Sequence, residues 1–421
     1  MAISTFRAFS SRNYRLYFSG QSVSLVGTWM QRTAVSWVVY TMTHSTLWLG
    51  IAIFATQFPS FLLSIFGGVI SDRYNKYKVL LFTQCASLVQ AVILAALVLR
   101  GHYMVWQILT LSVILGIINA FDVPARQSLV VDMVAEKENL SNAIALNSSM
   151  VNLARLVGPA VSGIVLQKFG AGICFSVNAA SFVAVIASLL MMKLPPYQAQ
   201  SNKKKTMAAM AEGFIYLKRT PAIGAVILML ACISLLVLPY NTLLPVYAKV
   251  IFHGDAATFG YINSFIGLGA ISGTFFLASL KPGTDLKIIL LANTLIFGAG
   301  LILFSHTSSF PLAMFFAVIS GFGMMSQTTI SNTIIQTTVN QRMRGRVISY
   351  FAMAFFGMLP LGSLLIGAVS QRIGAPDTIL AEGIIAIIIA LLFSPFLRKE
   401  RLEKKQREEL ENEETEELEV L

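Results

Sequence analysis

Twelve apolar stretches, each about as long as a bilayer is thick, divide this chain almost from end to end. A helix needs roughly 20 apolar residues to cross the hydrocarbon core. Runs of this length lie near residues 17–42, 46–70, 79–99, 104–123, 142–166, 172–192, 222–247, 258–280, 286–305, 310–332, 347–369 and 378–397. Only 12% of the residues are charged, whereas a soluble domain has about 25%. The sequence therefore predicts an all-α polytopic membrane protein with twelve transmembrane helices.

Basic residues are concentrated in alternate loops. The first 397 residues hold 25 of the 31 basic residues but only 10 of the 20 acidic ones. Basic residues accumulate in cytoplasmic loops, so this pattern predicts that both termini are cytoplasmic. Because the positive charge follows the loops, it indicates membrane topology, and we expect no nucleic-acid partner.

The longest internal connection, residues 193–221, separates six predicted spans from the next six and contains an amphipathic stretch from Met207 to Lys218. Spans five and eleven also share one spacing of glycines, a glutamine and a base: Gly158, Gly163, Gln167, Lys168 and Gly170, and 204 residues later Gly362, Gly367, Gln371, Arg372 and Gly374. Such repeats are typical of transporters whose site lies between two related halves. We predict two pseudo-symmetric six-helix bundles.

The predicted organisation has five parts. These are a cytoplasmic N-terminal segment (1–16), an N-terminal six-helix bundle (17–192), a cytoplasmic linker with an amphipathic helix (193–221), a C-terminal six-helix bundle (222–397) and a charged cytoplasmic tail (398–421).

The loop between spans two and three has the pattern Gly68-x-x-x-Asp72-Arg73-x-x-Lys76. A generic cytoplasmic loop explains its bases but not its acid. The spacing resembles the loop motif of the major facilitator superfamily of secondary transporters. Four further segments are similar to the bacterial branch of siderophore exporters and macrolide-efflux proteins: Gly27 to Arg32, Phe121 to Gln127, Asn152 to Pro159 and Arg344 to Val347. The resemblance implies the major facilitator fold and proton-coupled export by alternating access.

Several charged residues are candidates for a cytoplasmic gate. In the superfamily the motif acid faces the start of span eleven, where the positive end of a helix favours an anion. The candidates are Gly68, Asp72, Arg73, Lys76, Asp122, Arg126, Arg344 and Arg346. The expectation is a charge cluster that braces the state closed to the cytoplasm and breaks on opening; the alternative is a static surface network.

Two arginines are predicted deep in the membrane. Arg155 lies near the middle of span five and Arg32 lies deep in span one, with no acid at comparable depth. An arginine there costs at least about 2.5 kcal/mol unless it faces water or a partner, which predicts an electropositive cavity for anionic cargo. Alternatively, both arginines bond backbone carbonyls or extend to the interface. Further candidates for cavity residues are Gln31, Asn241, Gln327 and Asn332.

Proline and glycine mark two predicted irregular helices. Gly158, Pro159 and Gly163 are similar to the superfamily's antiporter motif, and Pro239 with Pro245 predicts a broken outer half of span seven; an ordinary proline kink is the alternative for span seven. Asp122 and Glu382 are the only acids within predicted spans and are the candidates for proton coupling.

The sequence predicts a bacterial inner-membrane exporter that works as a monomer. We expect proton-coupled export of a small anionic metabolite such as a siderophore, with no enzyme activity, cofactor or metal site. The alternatives are multidrug or macrolide efflux, a flippase for lysophospholipid-like amphiphiles, and a non-transporting receptor or scaffold that uses the acidic tail.

Overall fold

The fold is all-helical over the residues that the structure describes. The structure is a computed structural model that describes residues 4–134, 136–194, 206–281 and 283–420, with side chains described except at residues 4–5, 72, 137, 206–209 and 398–420. Its long helices are α1 (Arg12–Thr43), α2 (Thr46–Arg73), α3 (Lys76–Leu99), α4 (Val105–Met133), α5 (Leu140–Phe169), α6 (Ala171–Leu190), α7 (Thr206–Arg219), α8 (Pro221–Ile251), α9 (Ala256–Ala278), α10 (Leu286–Ser305), α11 (Phe310–Thr338), α12 (Gln341–Ile373) and α13 (Ala375–Val420). Helix α7 lies where the linker was expected to contain an amphipathic stretch.

Eleven of these helices, α2 to α6 and α8 to α13, have the length and hydropathy of membrane spans. Helix α1 is 32 residues long and packs against α5 and α6. It is not apolar enough over the length of a span to be counted with the other eleven. Polar residues occur along its length, including Gln31 and Arg32 beside its apolar end. The fold class is as predicted, while the count of twelve spans stays a prediction.

Helices α8 and α12 are interrupted. In α8, a regular helix ends at Leu236, and a 3-10 segment (Leu238–Leu243) and a π segment (Tyr247–Ile251) follow. Pro239 and Pro245 cannot donate backbone hydrogen bonds, which accounts for the irregular half that these prolines predicted. In α12, a π segment (Met353–Gly357) divides two regular parts. Helix α5 continues through Pro159 without a break.

The helices pack as two halves. Helices α1 to α6 form the N-terminal half and α8 to α13 the C-terminal half, and the principal contacts between them are α2 with α12 and α5 with α9. We call the end that holds both chain termini and the turns after α2, α4, α6, α9 and α11 the basic end. The end that holds the turns after α1, α3, α5, α8, α10 and α12 is the opposite end.

At the opposite end the halves meet backbone to backbone through paired glycines. A Cβ built on Gly163 of α5 would lie 2.8 Å from the carbonyl oxygen of Ala256, and one on Gly367 of α12 would lie 2.6 Å from that of Thr46. The partner glycines, Gly260 of α9 and Gly50 of α2, would meet the carbonyl oxygens of Pro159 and Ser363 in the same way. Small residues allow this approach of membrane helices, which explains Gly163 and Gly367 in the shared spacing of spans five and eleven.

The repeated glutamines complete this closure. The Oε1 atom of Gln371 accepts hydrogen bonds from Ser45 Oγ (2.8 Å) and from the Thr46 backbone N–H (3.1 Å). In the equivalent position Gln167 Nε2 donates to the Asp255 carboxylate. Ser45 and Asp255 are the N-cap residues of α2 and α9, so each glutamine binds the first turn of a helix from the other half.

Towards the basic end the halves separate. The contact between α2 and α12 reaches the level of Phe61 and Gly357. Beyond it, a Cβ built on Gly68 or Gly345 would meet nothing within 4 Å. Among the described residues, no hydrogen bond or ion pair joins the halves at this end. Over the described residues, the structure is therefore closed at the opposite end and open at the basic end.

An alanine at Gly367 should weaken the closed end. The new Cβ would overlap the Thr46 carbonyl, and overpacking of this kind costs about 1–3 kcal/mol, or roughly a 5- to 150-fold change in population. We expect Gly367→Ala to lengthen the distance between spin labels at positions 168 and 372, which are exposed at the opposite end in different halves. Electron–electron double resonance measures this distance.

Gly345→Ala is the matched control because its Cβ points into open space. The account of the closed end is contradicted if the two alanine variants give the same distance distribution as the unsubstituted protein.

Candidate functional site

Two arginines from different helices stack on one tryptophan between the halves. The guanidinium carbon of Arg32 lies 5.1 Å from the Trp29 ring centroid, and that of Arg155 lies 5.4 Å from it. Trp29 and Arg32 lie one turn apart on α1, and Arg155 reaches the ring from the middle of α5. We call Trp29, Arg32 and Arg155 the arginine site.

Gly158 makes this arrangement possible. A Cβ at Gly158 would collide with the Cβ of Trp29, so the absence of a side chain lets α1 and α5 approach at the tryptophan. Pro159 and Gly163 instead face α9. The predicted motif thus supports the arginine site on one side and the contact between the halves on the other.

The arginines lack acidic partners among the described residues. Arg32 is exposed although it lies within the helix bundle. Arg155 is half-buried, its Nε has no hydrogen-bond partner, and its Nη1 lies 3.7 Å from the Met325 sulfur on α11. Neither guanidinium bonds a described backbone carbonyl, which was one of the two forms of the alternative interpretation. Stacking on tryptophan contributes about 0.5–2 kcal/mol, which leaves both charges able to bind an anion.

The other predicted cavity residues are less clearly placed at this site. Gln31 is buried inside the N-terminal half, where it accepts from Asn178 Nδ2 at 2.7 Å and its Nε2 lies 3.3 Å from Gln90 Oε1, so it does not line the space between the halves. Asn241 is exposed and donates to the Leu238 carbonyl. Gln327 is buried with Nε2 unpartnered, and Asn332 is half-buried.

Sequence reasoning gave no role to Trp29, which is the centre of the arginine site. The available signal was its spacing, because Trp29 precedes Arg32 by three residues and therefore lies on the same helix face.

The predicted gate residues are divided among three local contacts. Lys76 pairs with Asp132 at 3.1 Å within the N-terminal half. Arg346 pairs with Glu212 of the linker helix α7. Arg126 pairs with Asp122 at 3.4 Å. Each contact lies outside the gap between the halves, so the charged residues do not form one cluster in this open state.

Among the described side chains, the remaining gate candidates form no hydrogen bond or ion pair across the halves. Arg73 is exposed, the Nε of Arg344 is buried without a hydrogen-bond partner, and the side chain of Asp72 lies outside the described residues. The gate cluster stays a prediction for the conformation that is closed at the basic end.

The two predicted proton-coupling acids lie in different environments. Asp122 is buried but well partnered: its Oδ1 accepts from Thr83 Oγ1 at 3.0 Å and from Gln84 Nε2 at 2.6 Å, and Arg126 faces its Oδ2. Glu382 of α13 is fully buried, and neither of its carboxyl oxygens has a hydrogen-bond partner. A buried charge without a partner is costly, so Glu382 is the acid whose charge the fold does not compensate in this state.

A family comparison assigns the chain. The family model described as "Transmembrane secretion effector" matches residues 3–420. The chain belongs to this family. It is therefore a member of the major facilitator superfamily of secondary transporters, as the loop motif indicated.

Relatives of this chain are named as transporters, exporters or efflux proteins. It is 27% identical over 400 residues to the staphyloferrin A transporter of Staphylococcus aureus, with 93% of this chain and 98% of the relative aligned. It is 24% identical to the enterobactin exporter of Escherichia coli, with 90% of each chain aligned. It is 23% identical to macrolide efflux protein A of Streptococcus pyogenes, with 90% of this chain and 96% of that protein aligned.

Solved structures share the fold. A bacterial homologue of the human lysosomal transporter Spinster, in an inward-facing and unoccupied conformation, aligns with a TM-score of 0.73 at 15% identity over 92% of this chain and 97% of that chain. The nucleoside transporter NupG aligns with a TM-score of 0.72 at 12% identity over 92% of this chain and 99% of that chain.

Among the described residues, no three His, Cys, Asp or Glu side chains are grouped as a metal site would require.

Asp122 should prove important for stability. Asp122→Ala removes the acceptor of two buried donors and leaves Arg126 unpaired, and breaking a buried charge pair costs about 3–5 kcal/mol. We expect a clearly lower midpoint of thermal unfolding in detergent, measured by tryptophan fluorescence. Asp122→Asn, which keeps an acceptor oxygen, should lose less; equal unfolding midpoints for both variants and the unsubstituted protein would contradict this role.

Proposed function

We propose that this secretion-effector protein is a proton-coupled exporter of a small anionic metabolite such as a siderophore. It works in the bacterial inner membrane, as a monomer, with both termini in the cytoplasm. The two halves alternately expose the arginine site to either side. The names of the staphyloferrin A and enterobactin relatives support this class of cargo.

The observation that carries the proposal is the pair of uncompensated guanidiniums. Neither Arg32 nor Arg155 forms an ion pair with a described residue, and both lie where positive charge is costly in the absence of water or a partner. An anionic cargo would neutralise them through charge-assisted hydrogen bonds, which are about twice as strong as neutral ones. A lipophilic cation would meet repulsion from both.

The open end fits loading from the cytoplasm. Basic residues are concentrated at the basic end, and the positive-inside rule assigns such an end to the cytoplasm. The conformation described above is then open inward, with the arginine site accessible to cytoplasmic cargo. We infer that the gate residues around Asp72 come together in the outward-open state, when the Gln167 and Gln371 contacts break.

Charge also favours export of an anion. Each negative charge moved out of a cell whose interior is negative gains about 2.3 kcal/mol per 100 mV. Exchange of the anion for an incoming proton adds to this driving force. We assign the proton to Glu382 in preference to Asp122, because Glu382 has no compensating partner while Asp122 is held by three.

Macrolide or multidrug efflux is the second candidate. Met325 contacts Arg155, and Met324 lies 3.8 Å from the Tyr240 hydroxyl; methionine surfaces adapt to varied apolar ligands. The macrolide-efflux relative favours the same function. This alternative predicts transport that does not depend on the arginines.

Export should depend on both arginines. In inside-out membrane vesicles with a proton gradient, Arg155→Gln and Arg32→Gln should each lower uptake of iron-free enterobactin or staphyloferrin A by about tenfold or more, because the loss of a charge-assisted contact costs at least about 1.5 kcal/mol. Lysine at position 155 should restore part of the uptake. Arg372→Gln, an exposed arginine at the opposite end, is the control and should transport normally.

The macrolide erythromycin, which carries an amine, is the competing cargo in the same vesicles. If it is transported and the glutamine variants transport it as well as the unsubstituted protein does, the efflux alternative replaces anion export.

A further inference from the structure

The buried carboxyl of Glu382 lies close to the opposite end of the C-terminal half. Glu382 is seven residues after the start of α13, which places it about 10 Å along the helix at 1.5 Å per residue. It is fully buried. The closed contact between the halves does not include it, because α13 packs on α8 and α10 of its own half.

Two tyrosines of the irregular half of α8 are within electrostatic range of this carboxyl. The charge of Glu382 acts on the buried hydroxyls of both Tyr240 and Tyr247. Arg155 also acts on Tyr240, whose hydroxyl lies 3.8 Å from the Met324 sulfur, next in sequence to the Met325 that contacts Arg155. Tyr247 is placed towards the opposite end, and the charge of Asp377 reaches it as well.

An exposed contact between His306 and Asp377 lies at the surface beside Tyr247. His306 Nε2 is 3.2 Å from Asp377 Oδ1, and more than half of each side chain is exposed. His306 Nδ1 is 3.1 Å from Ser305 Oγ, and the Tyr247 hydroxyl donates to the Ser305 carbonyl at 2.7 Å. His306 and Tyr247 therefore both contact Ser305, the imidazole at the hydroxyl and the phenol at the backbone carbonyl, so these contacts lead from the surface as far as Tyr247.

We propose that His306 and Asp377 are the entrance of a proton path that passes Tyr247 and ends at Glu382, within the C-terminal half and apart from the route of the cargo. This inference rests on the proposed proton coupling and assigns its route. His306 takes up one proton from outside and releases one inward, and the Glu382 carboxylate gains one. Tyr247 gives up and regains a proton, so it is unchanged.

The path is closed in the present conformation. The Tyr247 hydroxyl is engaged with the Ser305 backbone, and the Glu382 oxygens have no described polar partner. Tyr240 and Tyr247 both lie in the 3-10 and π segments of α8, whose hydrogen bonding is weaker than that of a regular helix. Rearrangement of this segment turns the Tyr247 hydroxyl towards Glu382 and opens the path.

This separation has a functional consequence. A proton from outside reaches Glu382 without passing the arginine site, and Tyr240 connects the two sites electrostatically. The ionisable groups around Glu382 are Tyr240 and Tyr247 of α8, Asp377 of its own helix, His306 after α10 and, beyond Tyr240, Arg155 of α5. In this proposal Tyr240, on which both Glu382 and Arg155 act, links proton entry to cargo binding.

The test measures proton access without any cargo. Infrared spectroscopy of the full chain in liposomes follows the C=O band of protonated carboxyls, and the band of Glu382 is the one lost in Glu382→Gln. Transfer to D2O shifts that band at a rate set by access to the carboxyl. We expect Tyr247→Phe and His306→Gln to slow the shift by roughly tenfold to 100-fold, in keeping with the effect of a positioned proton-transfer group.

Two matched controls accompany these variants. Tyr350→Phe also removes a hydroxyl that donates to a backbone carbonyl, at the basic end, and His102→Gln removes another exposed histidine at the opposite end. Both should leave the exchange rate unchanged. The inference is overturned if Glu382→Gln removes no band, or if His306→Gln and Tyr247→Phe exchange as fast as the controls.

Failure of this inference can be told apart from failure of the proposed function. The infrared experiment uses no cargo, whereas the vesicle assay measures transport alone. Normal deuterium exchange with no uptake of the siderophore probes would sustain the path and refute anion export. Uptake that depends on the arginines, together with deuterium exchange that is unchanged in Tyr247→Phe and His306→Gln, would sustain anion export and refute the path.

Discussion

The rest of the structure depends on two positive charges that are held between the halves and have no acidic partner among the described residues. Arg32 and Arg155 share Trp29, and Gly158 gives the tryptophan its place against α5. Such charges are tolerated only where water or an anion reaches them. The separation of the halves at the basic end provides that access, so the conformation and the charge of the site are parts of one arrangement.

The closed end shows how access can change sides. Glycine pairs bring α5 against α9 and α2 against α12. In each pair of helices, a glutamine of one helix binds the first turn of the other. The two contacts are related by the repeat but differ in chemistry, since Asp255 is charged and Ser45 is neutral. Both must break for the opposite end to open. Glu382 lies within the C-terminal half and takes no part in these contacts. A proton path through that half therefore need not be interrupted when the two contacts break.

Much of the fold follows from the sequence because each span must satisfy its own backbone hydrogen bonds in lipid. Long apolar runs therefore marked the helices well, but they ended α4 too early: it continues to Met133 as an amphipathic segment that carries Arg126 and Asp132. The places of Arg32 and Arg155 within their helices were readable from the sequence, and their depth in the membrane stays a prediction. The role of Trp29 was not readable, because it depends on contact with another helix. Gln31 was misplaced for a related reason, since a neighbour of Arg32 on a helix points about 100° away.

The most direct measurement of the central claim is a structure determined with an anionic cargo bound, using iron-free enterobactin or staphyloferrin A under conditions of demonstrated uptake. The account predicts cargo oxygens about 2.7–2.9 Å from the guanidinium nitrogens of Arg32 and Arg155, the range of charge-assisted hydrogen bonds, with the opposite end closed. The claim would be contradicted by cargo bound elsewhere, with both arginines still stacked on Trp29 and not in contact with the cargo.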